Sequence, residues 1–170
     1  MSGAEDGFVR LVWGLGTRAV DRVGNDYPRL IALSHPLLHP QGSTLAIQHY
    51  SQHYVDLIDL KSNKFVTLPV SEVFSMRYPQ ARYVVQVAEE GSLIPPQSRL
   101  MESGLEQIVI TFDGLLQRTS FASRLREMLT LLEKEYHSPV DTEFTVEIPE
   151  AHALNPQIEI TLLQCRPQSH

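Results

Sequence analysis

The chain has 170 residues, enough for one ordinary domain, and its 42% apolar and 20% charged residues supply a hydrophobic core and exclude a disordered polymer. The formal net charge is −6, and the 14 Lys and Arg residues are scattered along the chain. That balance argues against a surface built to neutralise nucleic-acid phosphates, whereas a small anion needs only local positive charge.

In chain order, Gly7 to Trp13 is β-rich and meets the glycines of Trp13-Gly14-Leu15-Gly16-Thr17, which suggest a turn. Thr17 to Val23 reads as a short helix ended by Gly24-Asn25, and Arg29 to Leu33 as a strand stopped before Pro36. Thr44 to Tyr50, Tyr54 to Leu60 and Lys64 to Leu68 read as consecutive antiparallel strands, with Lys61-Ser62-Asn63 as a hairpin turn. Ser71 to Met76 is expected to be a short helix with Ser71 as its N-cap. Tyr83 to Ala88 is a strand, Pro95 to Glu102 a loop, and Ile108 to Phe112 a strand closed by Asp113-Gly114. From Phe121 to Tyr136 the apolar residues Phe121, Leu125, Met128, Leu129 and Leu132 recur at helical spacing, which predicts an amphipathic helix packing that stripe on the sheet. Ser138-Pro139 stops it, and strands over Asp141 to Ile148 and Ile158 to Gln164 follow. The pattern is α+β, dominated by an antiparallel sheet with flanking helices.

Cys165 is the single cysteine, so no internal disulfide and no Cys-rich metal cluster can form; a reducing cytoplasm is the simplest setting. The first residues carry Glu5 and Asp6 where a secretory signal has basic groups, and no long apolar run follows. Neither export nor membrane insertion is expected.

Side chains alternate faces along a strand, so Asp141 and Glu143 share one face while Val140, Thr142 and Phe144 take the other. If the last strand pairs with this one, Gln164 and Arg166 converge on the same space. Carboxylate oxygens suit a hard Mg²⁺, the Gln carbonyl adds a ligand, and the Arg fork suits a phosphate. On spacing alone, acidic residues at alternate positions more commonly mark the solvent face of a half-buried strand, and Arg166 could simply pair with either carboxylate there.

The run from Leu131 to Phe144, with Pro139-Val140-Asp141-Thr142-Glu143-Phe144 at its end, is followed after a loop by Leu162-Leu163-Gln164-Cys165-Arg166-Pro167. In order and in kind, this resembles the end of the ATP-grasp nucleotide-binding domain of phosphoenolpyruvate synthase and pyruvate phosphate dikinase. There a helix leads into a Pro-x-Asp-(Ile/Met)-Glu-(Trp/Phe) strand, and the next strand ends in Leu-Gln-x-Arg. Upstream, Gly14-Leu15-Gly16-Thr17-Arg18-Ala19-Val20 with Asn25-Asp26-Tyr27-Pro28 is similar to the family's Gly-Leu-Gly-Glu-x-Val-Val segment and Pro-Asp turn. Thr17 departs from the Glu found in many members, and Cys165 from the usual Ala or Thr.

The resemblance implies an ATP-grasp C-terminal-lobe-like fold over a single domain, residues 1–170; the stretch of roughly 40–102 matches none of the family's motifs and is expected to be an elaboration of the sheet. It implies that Asp141 and Glu143 bind or orient the Mg²⁺ of MgATP, that Gln164 assists, and that Arg166 contacts the phosphates and serves catalysis. It also implies a further N-terminal half carrying phosphate-binding Lys and Arg, so binding of ATP and Mg²⁺ to the isolated chain is expected to be weak. The expected partners are accordingly a complementary ATP-grasp half or a phosphohistidine domain. Two functions follow: part of a phosphoryl-transferring domain, incomplete alone, or a non-catalytic nucleotide-binding or assembly module.

Other groupings carry less. His35, His39, His49 and His53 read as surface histidines rather than a metal site, because a four-residue spacing suits a helix and this stretch reads as strand and turn. Gly14-x-Gly16 is too short for a dinucleotide fingerprint. The Arg77 to Tyr83 cluster reads as a loop entering an edge strand, with solvated arginines.

Overall fold

The computed structural model describes residues 7–20, 24–74, 78–96 and 107–168. The expected end of the first helix at Val23, the end of the Ser71–Met76 helix, Arg77, and the loop beyond Pro96 lie outside these residues. Among the described residues nine strands, all in antiparallel pairs, are divided among four small sheets. In the first, β1 (Phe8–Leu11) pairs with β2 (Arg29–Ala32), and the short α1 (Thr17–Val20) lies between them in sequence. In the second, β3 (Tyr54–Asp59) and β4 (Lys64–Pro69) form a hairpin around the expected turn, where Asn63 adopts φ 58°. The third places β5 (Val85–Glu89) between β6 (Ser92–Ile94) and β7 (Ile108–Ile110), and the fourth is the long hairpin of β8 (Val140–Glu147) and β9 (Glu159–Pro167).

Period-two burial builds the first sheet: Val9, Leu11, Ile31 and Leu33 are buried, while Phe8, Arg10 and Leu30 face outward. These side chains join Val55, Tyr83, Val85, Val87 and Ile110 in one hydrophobic core. The longest helix, here α6 (Phe121–Tyr136), has the predicted bounds. Only its first half is deeply seated. Phe121 and Leu125 are fully buried and Met128 and Leu129 pack against the core, whereas Leu132 is not part of it. The stripe therefore contributes at one end of the helix rather than along its length. His137 in the left-handed conformation (φ 54°) and Pro139 end it.

Three stretches differ from the sequence reading. Thr44–His49 is a helix (α2), not a strand: the Ser43 hydroxyl oxygen accepts from the Ala46 N–H at 3.2 Å, an N-cap that a six-residue apolar alternation concealed. A short helix, α3 (Val70–Val73), starts one residue before Ser71, with Pro69 at the capping position and no side-chain cap. Ala81–Val84 is a helical turn (α4) ahead of β5, so the predicted strand begins two residues late. β5 is the central strand of its sheet, not an edge, and Arg82 is exposed as expected but hydrogen-bonded to Tyr83 and Ala153.

Asp113-Gly114 does not simply close a strand; it opens a helix, α5 (Asp113–Arg118), after a left-handed Phe112 at φ 57°. Gly114 is required there. A Cβ on it would lie 2.9 Å from the Tyr83 Cα, so only glycine lets α5 cross α4 this closely. Among the described residues no helix is long and apolar enough to cross a membrane.

Candidate functional site

The β8–β9 ladder brings the four expected residues together. Asp141 stands directly opposite Arg166 and Glu143 opposite Gln164, so all four side chains occupy one face. All four are exposed. A bulge explains how one strand serves two demands: Glu143 opposes Gln164 but Phe144 opposes Leu162, leaving Leu163 as the extra residue. Toward the loop, this shift turns Phe144, Val146 and Ile160 to the core; toward the end of the chain, it keeps Gln164 and Arg166 on the polar face. Phe144 packs on Phe121 of α6 with ring centroids 6.3 Å apart.

Both ends of the hairpin are fixed. Ile148, Ala151 and Ile158 are buried in the core, and the Arg124 guanidinium donates to the Ile158 carbonyl at 3.1 Å. At the other end, Val140 is buried and the Gln168 amide donates to the Pro139 carbonyl at 2.9 Å. Asp141 Oδ1 accepts from Gln168 Nε2 at 3.0 Å. The polar face is thus a rigid, open platform carrying two carboxylates, an amide and a guanidinium.

No cluster of three or more His, Cys, Asp or Glu side chains able to hold a metal occurs among the described residues. The donor set nonetheless fits Mg²⁺, which commonly takes one or two carboxylates and completes its shell with water and substrate phosphates. Asp141 and Glu143 would hold it, with the Gln164 carbonyl beside them and Arg166 free to meet phosphate oxygens.

A second polar centre holds the glycine segment. Gly14 has φ 92°, and a Cβ there would lie 2.6 Å from the Asp56 carbonyl oxygen, which already accepts the Leu15 N–H at 2.8 Å. Gly16 has open space around it. Gln52 grips Trp13 from both sides, accepting its N–H and donating to its carbonyl, each at 2.8 Å. Arg18 bridges Asp26 and Asp56 at 3.1 Å each, with all three side chains almost wholly buried. Asp56 also accepts from the hydroxyls of Thr17 at 3.0 Å and Thr67 at 2.6 Å. Thr17 donates to Asp56, whereas a carboxylate at this position would face it as a like charge.

Electrostatics in this centre follow from competing causes. Burial pushes the Asp26 carboxyl upward, but hydrogen bonds from the His53 side chain and from the His53 and Tyr54 amides, with the Arg18 charge, bring it below its ordinary value. Asp56 is likewise raised by burial and lowered on balance by Thr67, Thr17 and Arg18. The hydrogen bond to Asp26 outweighs burial at His53 and raises it, with Nδ1 3.4 Å from the carboxylate. The third cluster ties β2 to α5: His39 Nε2 lies 2.8 Å and Arg29 Nη2 3.7 Å from Asp113, and Arg29 donates to the Leu30 and Thr111 carbonyls. His39 and His53 therefore each contact a carboxylate, Asp113 and Asp26 respectively, and His53 does so while exposed. Sequence reasoning missed the Arg18 centre because it is closed by bonds such as Thr17 to Asp56, 39 residues apart; the visible signal was Asp56 lying among the apolar residues of β3.

The family model for the pyruvate phosphate dikinase AMP/ATP-binding domain matches residues 2–170, spanning both the glycine segment and the β8–β9 hairpin. No curated protein and no solved structure matches the chain. The α+β architecture with antiparallel sheets accords with the ATP-grasp character of that domain, and nucleotide binding is the property that unites it. From the extent of the match, the chain belongs to the pyruvate phosphate dikinase AMP/ATP-binding domain family.

Proposed function

We propose that this chain binds the phosphates of ATP on the β8–β9 face as part of a phosphoryl-transferring domain. Asp141 and Glu143 orient Mg²⁺, Gln164 assists through its carbonyl, and Arg166 contacts the phosphates and stabilises the charge that develops on them. The supporting observation is the ladder register, which sets Asp141 opposite Arg166 and Glu143 opposite Gln164.

The openness of the platform defines the rest of the proposal. Phosphates resting on it remain in contact with water on their far side, so tight binding and transfer require donors from a second surface. A complementary ATP-grasp half would supply them, and a phosphohistidine domain would accept the phosphoryl group. The single cysteine, Cys165, accords with a reducing, cytoplasmic setting. The exposure of all four residues also supports the second reading, a nucleotide-binding or assembly module without catalysis.

Amide resonances followed during titration with MgATP test the assignment. Shifts centred on Asp141 to Glu143 and Gln164 to Arg166, stronger with Mg²⁺ than without it, are expected; shifts confined to other strands would reject the site. Phosphohistidine formed on an added acceptor domain would separate the transfer reading from the binding-only one.

A further inference from the structure

Arg82, Arg118, His152 and Asn155 line a concavity of about 310 Å³ between α4, the end of α5 and the loop joining β8 to β9. Its other lining residues are Tyr83, Ala153 and Leu154, so among the described residues no carboxylate lies in the wall, in a chain whose net charge is −6. This concentration of donors is built rather than incidental. Arg82 Nη2 donates to the Tyr83 hydroxyl at 2.8 Å and to the carbonyls of Ala151 and Ala153, and its guanidinium lies over the Tyr83 ring at 4.9 Å. These contacts fix the group through one nitrogen and hold the loop against the core through buried Ala151. They leave Nε and Nη1 without a partner among the described residues.

Arg118 is exposed and makes no hydrogen bond or ion pair among the described residues. Two guanidinium groups lining one concavity repel one another unless an anion lies between them. The Asn155 amide and the His152 ring add neutral or cationic donors.

From this geometry we infer that the concavity is a binding site for a small phosphate-type oxyanion, separate from the β8–β9 platform. Arg82 is the pre-set anchor and Arg118 the mobile second donor. Planar guanidinium groups match tetrahedral oxyanions in geometry as well as charge, which distinguishes this site from a general positive patch.

The test is titration of the full chain with inorganic phosphate, read from backbone amide shifts, against sodium chloride of equal ionic strength. Saturable shifts at Arg118 and Ala153 to Asn155 are expected with phosphate and not with chloride. Arg118→Ala, which removes an exposed side chain without structural contacts, should weaken binding by about tenfold, with partial recovery in Arg118→Lys. Arg166→Ala should leave these shifts in place, which separates this site from the nucleotide platform. Shifts that fail to saturate, that are matched by chloride, that survive unchanged in Arg118→Ala, or that appear with ATP but not with inorganic phosphate would each overturn the assignment.

Discussion

Asp141 and Arg166 face one another across the β8–β9 ladder, yet the hydrogen bond to the Asp141 carboxylate comes from Gln168 Nε2 at 3.0 Å. Among the described residues the guanidinium makes no ion pair. Replacing either side chain should therefore leave the fold intact. For Asp141→Asn, Glu143→Gln and Arg166→Ala, unfolding free energies are expected within about 0.5 kcal/mol of wild type, as for exposed positions generally. Denaturant titration checks this, and a larger loss would mean that the platform is structural.

The helix α6 is anchored at one end. Leu125 is fully buried, whereas Leu131 is 61% exposed. Leu125→Ala should cost about 2–5 kcal/mol, and Leu131→Ala should lie within about 0.5 kcal/mol of wild type. Equal losses in the two variants would contradict the seating of the helix.

The two glycines of the glycine segment are not equivalent. Gly14 combines φ 92° with contact against the Asp56 carbonyl, while Gly16 has nothing within 4 Å. Gly14→Ala is expected to destabilise by about 1–3 kcal/mol through overpacking and backbone strain, with little change for Gly16→Ala. Thermal unfolding of the pair distinguishes them.

The Arg18 centre should give stability a pH dependence of two signs. Asp26 and Asp56 are lowered from 3.8, so their contribution is present above that value and is lost as pH falls through the lower folded values. His53 is raised from 6.5, so its contribution is complete below 6.5 and is lost as pH rises through its higher folded value. Removing Arg18 leaves two buried carboxylates without their cation, and Arg18→Ala should cost about 3–5 kcal/mol near neutral pH. Urea unfolding of wild type, Arg18→Ala and His53→Gln across acid and neutral pH measures both effects. In His53→Gln, an unaltered slope above pH 6.5 would remove His53 from the account.

Local order was readable in the sequence where a pattern ran long enough to repeat. The sixteen residues of α6 and the β8–β9 hairpin meet that condition, and the four platform residues follow from strand alternation once the hairpin is in place. The bulge at Leu163 was not readable, although it fixes which β9 residues face the core. Thr44–His49 failed because six residues cannot distinguish period two from period 3.6, and the Ser43 cap decided the outcome. Tyr83 and Val84 carry strand-type side chains but are drawn into a helical turn where α5 crosses them at Gly114. The Arg18 centre depends on long-range closure between the glycine segment, the Asp26 turn and β3, which no local window contains.

The claim that the β8–β9 face is one open side of a MgATP site is tested most directly by calorimetric titration of wild type and Arg166→Ala with MgATP. On the proposal that two or three charge-assisted phosphate contacts come from a second surface, each worth about 1.5–3 kcal/mol, the platform alone should bind in the millimolar range or weaker. Arg166→Ala should bind more weakly still, and addition of a complementary ATP-grasp half should tighten the wild type. Low-micromolar binding by the wild-type chain alone, or equal affinity in both proteins, would contradict the account.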